Sequence, residues 1–421
     1  MFKKWVLENG IRIVGQRIAG AKSVSIGLWV NIGSRDEEAH EHGISHFLEH
    51  MFFKGTKSRT AADIAREIDA IGGEFNACTS RETTTFYLRV LEEHLSKAVD
   101  ILSDNFHHSR FESREIEREK QVVLEEIKMS DDDPEDLVYT LHVEGMLKGN
   151  PLGRTILGTV ETVSAIDRKK IVSFLKRTYD PKQIVISVAG QFQWDLLEKL
   201  LRDAFLRYEN TGTRLLPRIA PVVLPHFLVK QKELEQAHIC ISTPGFSASH
   251  PQRDALHIVH ILLGGGVSSR LFQEVRERRG LAYSIYSCPS SYQDGGLLTV
   301  YAGTGPENAP KMVELILKEI RKLKVHGVSK EEMARAKEHI QGSLLLGLEG
   351  SGSWMSHLAK DELYFGRSFK LEEVIKRVNR VTLQQIHDVV EALFAVETLS
   401  MMVLGPVEAH DLPFPSTHSS R

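Results

Sequence analysis

The chain has 421 residues, 42% hydrophobic and 26% charged, with 31 glycines and 14 prolines, which excludes disordered, collagen-like and disulfide-scaffold classes. Lys+Arg 53 against Asp+Glu 56 leaves a net charge of −3, so no broad electrostatic footprint for nucleic acid or an anionic membrane is expected. The length exceeds what one hydrophobic core supports and predicts at least two domains. From the N-terminus, Trp5–Leu7 and Ile11–Val14 flank Asn9-Gly10, the signature of a hairpin with a two-residue turn. Val24–Ile32 reads as a buried strand, Gly43–Phe53 and Ala61–Ile71 as helices, and Glu74–Ala77 with Thr83–Val90 as a hairpin. Two long helices follow, Leu91–Asn105 and Glu112–Met129, then a strand at Gln183–Ala189 and a helix at Leu196–Tyr208.

Between Glu209 and Phe227 periodicity stops, and Asn210, Gly212, Pro217, Pro221 and Pro225 punctuate the segment. We expect a first domain over residues 1–210, a linker over 211–227 and a second domain over 228–421. The second half repeats the order. A strand at His238–Thr243 is followed by helices at Pro251–Leu263 and Ser269–Arg278. A hairpin of Ala282–Ser287 with Gly296–Ala302 leads into helices at Ala309–His326 and Lys330–Leu348. The fold class expected is α+β: two homologous domains, each an antiparallel or mixed sheet with helices packed on one side. Gly350-Ser351-Gly352-Ser353 reads as a flexible break between helices, and the polar tail after Pro406 as frayed.

Cys78, Cys240 and Cys288 are few and widely spaced, as free thiols of a reducing compartment are. No run approaches the roughly 18 apolar residues of a membrane span, and Glu8 interrupts the apolar stretch a signal peptide would need. These features predict a cytosolic protein.

One constellation carries chemistry: His46-Phe47-Leu48-Glu49-His50. On a helix His46 and His50 lie one turn apart on one face, within reach of one ion, and Glu49 could address a water on it. Imidazole and carboxylate ligands suit zinc. The same pattern also reads as two half-buried polar residues on an amphipathic helix. The segment 112–129 holds Glu115, Glu117, Glu119, Glu125 and Glu126, each of which singly reads as a solvated charge. Glu119 and Glu126 are seven apart and share a stripe, with Val122, Val123 and Ile127 expected to pack the helix inward. Such a stripe could supply one zinc ligand and one acid that orients a histidine.

At this point the sequence resembles a known family, the pitrilysin-type metallopeptidases or inverzincins. Within it, the chain is most similar to the branch of the mitochondrial processing peptidase β subunit and its bacterial relatives. The resemblance rests on Gly43–Met51 with Lys54-Gly55-Thr56, on Gly72–Ala77 with Thr79, on Glu119-Lys120 with Glu125-Glu126-Ile127, and on Leu152–Gly158. In the second half it rests on Ser269–Phe272 and on Arg276 through Gly280-Leu281-Ala282-Tyr283. It implies one zinc ion held by His46, His50 and Glu126, with Glu49 as general base and Glu119 as a supporting carboxylate. It implies that Arg276 and Tyr283 bind substrate and stabilise the oxyanion. Asn76 and Ala77 would form the strand edge on which an extended peptide pairs.

The family further implies a homodimer enclosing a chamber, with Arg276 and Tyr283 serving the partner's zinc site, and peptides or unfolded segments as substrates. The second half reads Leu256-His257-Ile258-Val259-His260, without the glutamate, and is expected to handle substrate rather than metal. Gly264-Gly265-Gly266 lacks the Lys-Ser/Thr of a phosphate loop. Members of the same fold also serve as noncatalytic structural subunits with degraded metal motifs. Here the motif is complete.

Overall fold

A computed structural model of the chain describes residues 1–210 and 217–413. Among the described residues eleven strands run in order: β1 Phe2–Val6, β2 Arg12–Arg17, β3 Ser23–Val30, β4 Glu74–Thr79, β5 Thr84–Leu91, β6 Ile184–Gly190, β7 Phe227–Lys230, β8 Ala237–Gly245, β9 Ala282–Ser291, β10 Gly296–Thr304 and β11 Ser400–Leu404. The helices of the first half are α1 Ile44–Met51, α2 Ala61–Ala70, α3 Leu95–His108, α4 Ser113–Asp132, α5 Pro134–Met146, α6 Val160–Ser164, α7 Arg168–Thr178 and α8 Trp194–Phe205. Those of the second half are α9 Arg253–Leu263, α10 Ala309–His326, α11 Lys330–Gly347, α12 Ser351–Phe365, α13 Leu371–Arg380 and α14 Leu383–Leu393.

Two mixed sheets result, ordered β1-β2-β6-β3-β5-β4 and β7-β11-β8-β10-β9. In the first, β2 and β6 are parallel and every other pair antiparallel; in the second, only β7 and β11 are parallel. Apart from β1 the two sheets therefore share one topology, the duplication expected from the repeated element order. The α+β class holds for both. The N-terminal hairpin forms, but the Leu7 N–H donates to Ile11 O (2.9 Å), so its loop holds three residues, Glu8-Asn9-Gly10, rather than two.

The chain divides into two compact units that are not continuous in sequence. Unit 1 comprises Met1–Met129, Arg154–Arg218 and Leu346–Ser368; unit 2 comprises Ser130–Gly153, Ile219–Leu345 and Phe369–Arg421. A single cut near 210 does not delimit them, because one helix of each half belongs with the other half's sheet. In unit 1, Ile26, Leu28 and Val30 of β3 join Phe47, Leu48 and Leu102 in the main core. Trp29 on the opposite face meets Val14, Val185, Leu358 and Ala359, so α12 covers that face. The Ser351 hydroxyl lies 2.9 Å from Ser25 Oγ and 3.1 Å from Ser23 Oγ, so the expected break at 350–353 is the anchored start of α12. In unit 2, Leu137 and Val138 of α5 pack on Cys240, Tyr301 and Met402, while Ile239 and Ile241 face the core lined by α9, α10 and α14.

The expected linker lies partly outside the described residues (211–216), and so does the tail from 414 onward. Among the described residues no helix is long and apolar enough to cross a membrane.

Candidate metal centre

The first turn of α1 is built by residues before it. Gly43 adopts φ +91°, and a Cβ there would lie 2.6 Å from Leu157 O, so the position requires glycine. The buried Glu37 carboxylate then accepts the N–H groups of Gly43 and Ser45, both at 2.8 Å. Two donors that a helix start leaves unpaired are thereby satisfied, although burial pushes the Glu37 carboxyl up to about 8 against the pull of these two N–H groups. Phe47, Leu48 and Met51 point into the core. That fixes the opposite side, which carries His46, Glu49 and His50.

α4 supplies the acids. Glu119 and Val123 are buried and Ile127 is partly buried against the same core, whereas Val122 is 51% exposed. Val122 stands about 100° around the helix from Val123 and so leaves the inward stripe, contrary to expectation. Glu126 sits seven residues beyond Glu119 and reaches the histidines. His46 Nε2 and His50 Nε2 are 3.3 Å apart, and Glu126 Oε2 is 3.6 Å from each. Among the described residues this is the one group of three such side chains close enough to share a metal ion.

The donor set fits zinc on its own chemistry. Ligand atoms around about 2.0–2.2 Å bonds in a tetrahedron lie roughly 3.3–3.6 Å apart, close to the spacing found here. Two ring nitrogens facing each other across 3.3 Å leave at most one proton between them, whereas a central cation satisfies both lone pairs and the carboxylate together. His46 is buried, and burial together with the nearby His50 lowers its pKa to about 4, so near neutral pH it is an uncharged imidazole. Among the described residues its Nδ1 has no hydrogen-bond partner, so no hydrogen bond on the outer nitrogen orients that ring.

His50 is held differently. Its Nδ1 lies 2.8 Å from Glu119 Oε1, and Lys54 Nζ lies 2.6 Å from Glu119 Oε2. Burial raises the Glu119 carboxyl, but these two partners outweigh it and hold it below the usual carboxylate range. A carboxylate on the outer nitrogen fixes ring orientation and strengthens the inner nitrogen as a ligand. The Glu49 carboxyl is raised by burial, against the pull of the Thr79 hydroxyl, which donates to Glu49 Oε2 at 2.5 Å. Thr79 ends β4, the outermost strand of its sheet. Asn76 and Ala77 lie on that edge, with Asn76 exposed and its Oδ1 accepting the Ala77 N–H at 2.8 Å.

Lys54 opens the loop after α1, and Asp104 on α3 organises that loop. The Asp104 carboxylate accepts from Thr56 Oγ1 (2.7 Å), Ser58 Oγ (2.7 Å) and Arg59 Nη1 (2.8 Å), and lies 3.0 Å from His108 Nδ1. Burial alone would raise it, but these partners together hold it at about 2. A depressed folded pKa means stability that is present above the ordinary Asp range and lost as pH falls through about 2. Asp104→Asn is therefore expected to cost roughly 1–3 kcal/mol at neutral pH. In urea denaturation at a series of pH values, the gap to the parent chain should narrow steadily as pH falls from about 4 toward 2. A gap independent of pH would rule out the charge as its source.

Arg276 and Tyr283 lie in unit 2 and contact each other. Residues Phe272–Glu277 form a π-helical stretch within the helix expected there, and Arg276 Nη1 donates to Tyr283 O at 2.8 Å. The guanidinium stacks 4.5 Å from the Tyr283 ring centroid and 4.9 Å from that of Phe272, and Tyr283 is 78% exposed. His260 Nδ1 lies 2.8 Å from Ser287 Oγ, and neither His257 nor His260 enters a three-ligand group among the described residues.

The structure thus brings His46, Glu49, His50, Glu119 and Glu126 together in unit 1. Sequence reasoning missed the roles of Glu37, Lys54 and Thr79. Lys54 and Thr79 stand inside the motif blocks, which was a signal; Glu37 carries none.

Comparison with known proteins shows the family. The model of Insulinase (Peptidase family M16) matches residues 12–160, and that of the Peptidase M16 inactive domain matches residues 165–340. The chain belongs to peptidase family M16. It is 41% identical to an uncharacterized zinc protease of Bacillus subtilis, YmxG, over 96% of this chain and 98% of that one. It is 39% identical to an uncharacterized zinc protease of Mycobacterium leprae, over 95% and 91% of the two chains. A protease from Helicobacter pylori has the same fold, with a TM-score of 0.91 at 22% identity, covering 96% of this chain and 99% of that one. A chain of complex III2 from Candida albicans has a TM-score of 0.81 at 19% identity, covering 96% of both. At such identities the likeness speaks for the fold alone.

Proposed function

We propose that the chain is a zinc endopeptidase acting on extended peptides or unfolded segments. The observation that carries this reading is the convergence of His46 Nε2, His50 Nε2 and Glu126 Oε2 beside the Glu49 carboxylate. His46, His50 and Glu126 would hold one zinc ion, with Glu119 orienting His50. Bound zinc lowers the pKa of water toward about 7 and polarises a carbonyl. Glu49 receives the proton of the attacking water and delivers it to the departing amine nitrogen. Its burial favours the protonated form and brings it closer to the pH at which a carboxyl can both take and give a proton. The edge of β4 at Asn76 and Ala77 pairs with the backbone of the peptide, which gives affinity with little demand on side chains. Arg276 and Tyr283 bind the peptide and donate to the oxyanion, a contribution of a few kcal/mol in comparable sites.

The direct test is metal analysis of the purified protein together with cleavage of a quenched fluorescent peptide before and after chelation. About one zinc per chain and activity lost to chelator, then restored by zinc, is the expected result. A second reading, a noncatalytic structural subunit, draws on the likeness to the complex III2 chain. It predicts no zinc after reconstitution and no cleavage across a peptide panel, and the intact motif speaks against it.

We further propose a homodimer forming a chamber, in which Arg276 and Tyr283 act at the zinc site of the partner subunit. Mixing Arg276→Ala chains with Glu49→Gln chains should then restore part of the activity, since one of the two sites is intact. No recovery in confirmed heterodimers excludes this assembly.

A further inference from the structure

The Thr79–Glu49 hydrogen bond is the visible end of a longer construction. A carboxylate only accepts hydrogen bonds, so the Thr79 hydroxyl must donate to Glu49 Oε2. Threonine is β-branched and stiff at χ1, so the backbone position of Thr79 decides where that hydroxyl stands. A single well-placed donor on a side chain with three rotatable bonds selects one orientation of the base.

The backbone of Thr79 is fixed from beyond the end of β4. The turn Ser80–Thr83 closes on itself through Ser80 N–H to Thr83 O (2.8 Å) and Thr83 N–H to Ser80 Oγ (3.0 Å). The segment Gly33–Arg35 clasps it, with Ser34 N–H to Ser80 O at 3.2 Å and Arg35 N–H to Arg81 O at 2.9 Å. The approach is so close that a Cβ on Gly33 would lie 2.4 Å from Ser80 O.

Inside the turn stands Glu82, only 2% exposed. Its Oε1 accepts from Arg35 Nη1 at 2.5 Å, its Oε2 accepts from the Tyr364 hydroxyl at 2.9 Å, and its backbone oxygen accepts from Arg218 Nη2 at 3.0 Å. Arg218 also bonds Asp36 Oδ2 (2.8 Å) and Asn31 O (3.0 Å), tying the same turn to the strand that leads into Gly33. Arg218 follows the first half of the chain, and Tyr364 lies on α12, far along the sequence.

A buried carboxylate surrounded by cations is a poor way to gain stability, since well-packed apolar residues commonly do as well or better. It is a good way to specify one geometry. We propose that Glu82, clamped by Arg35, Arg218 and Tyr364, is a positioning residue that sets Thr79 and through it the orientation of Glu49. The consequence is that the return of α12 to unit 1 completes the proposed catalytic site, and residues 1–210 alone would hold the metal ligands but not the aligned base. This inference rests on the peptidase reading for its kinetic consequence and on the geometry alone for its structural one.

Replacing Glu82 would remove a buried charge partner of Arg35 and endanger folding, so the test uses Thr79 and Tyr364. In zinc-loaded full-length protein, Thr79→Val is expected to lower kcat about 10- to 100-fold with KM and zinc content unchanged, and Thr79→Ser to recover most of the loss because it keeps the hydroxyl. Tyr364→Phe should lower kcat in the parent chain but add nothing in the Thr79→Val background, because both act through one contact. Crystal structures should show Glu49 in one orientation in the parent and in Thr79→Ser, and spread over several in Thr79→Val. Unchanged kcat in Thr79→Val, independent multiplication of the two losses, or a single unaltered Glu49 orientation in Thr79→Val overturns the proposal. Should the zinc-loaded parent chain cleave no peptide, the peptidase reading fails by itself. The Glu49 orientation in Thr79→Val then decides the positioning claim.

Discussion

Glu49→Gln is expected to abolish peptide cleavage while leaving zinc bound. The substitution keeps the size and shape of the side chain, and its amide oxygen can still accept the Thr79 hydroxyl that now meets Glu49 Oε2. It is not one of the three atoms that converge on the metal position, so affinity for zinc should be unchanged. What it removes is the capacity to hold a proton in transit. A positioned general base contributes roughly 10²- to 10⁴-fold, and in the proposed mechanism the same group also protonates the leaving nitrogen, so the loss should lie toward the upper end of that range. The measurement pairs kcat/KM on a quenched peptide with zinc stoichiometry of the same sample. Full zinc with cleavage reduced about 10³-fold or more would assign the role to Glu49. Equal cleavage in the two chains would sink it and direct attention to another base. Peptide affinity offers a second check, since the inactive chain should still bind a peptide it no longer cuts.

Much of this site was legible because its information is local. His46, Glu49 and His50 lie within five residues on one helix, and Glu119 and Glu126 within eight on another, so helical periodicity alone places each set on a face. The duplicated sheet was legible for the same reason: β4–β5 and β9–β10 are hairpins, whose partners are neighbours in sequence. What escaped were pairings that only the folded chain creates. Glu37 caps α1 from an irregular segment with no periodic signal, and Thr79 reaches Glu49 across 30 residues. α12 was hidden by its own start, since Gly350-Ser351-Gly352-Ser353 has the composition of a loop. Tertiary contact overrides that propensity: the small side chains let the helix approach β3, where Ser351 meets Ser23 and Ser25. The exchange of α5 and α12 between the sheets of the two halves could not be read from a repeat in element order, because a repeat tells which elements correspond and not which sheet each one covers.

The acids of α4 make the second large effect testable by degree. Glu126→Ala is expected to strip the protein of zinc, because a three-ligand site reduced to two imidazoles loses both a coordinating oxygen and the negative charge that offsets the cation. Activity should fall by the same factor as occupancy at fixed zinc, and added zinc should no longer raise the unfolding temperature, since a ligand stabilises only by binding the folded state. Glu119→Gln should behave differently. Glu119 touches His50 Nδ1 and Lys54 rather than the metal position, so its loss weakens the orientation of one ligand and should cost about 10- to 100-fold in zinc affinity. That variant should recover zinc, and most of its activity, when the free metal concentration is raised. Competition with a chelator of known affinity ranks the three proteins, and the expected order is parent, Glu119→Gln, Glu126→Ala. If Glu119→Gln proved as metal-free as Glu126→Ala, Glu119 would have to be counted among the direct ligands. If Glu126→Ala kept its zinc, the convergence of the Glu126 carboxylate on His46 and His50 would be no more than a polar contact, and the third ligand would lie elsewhere.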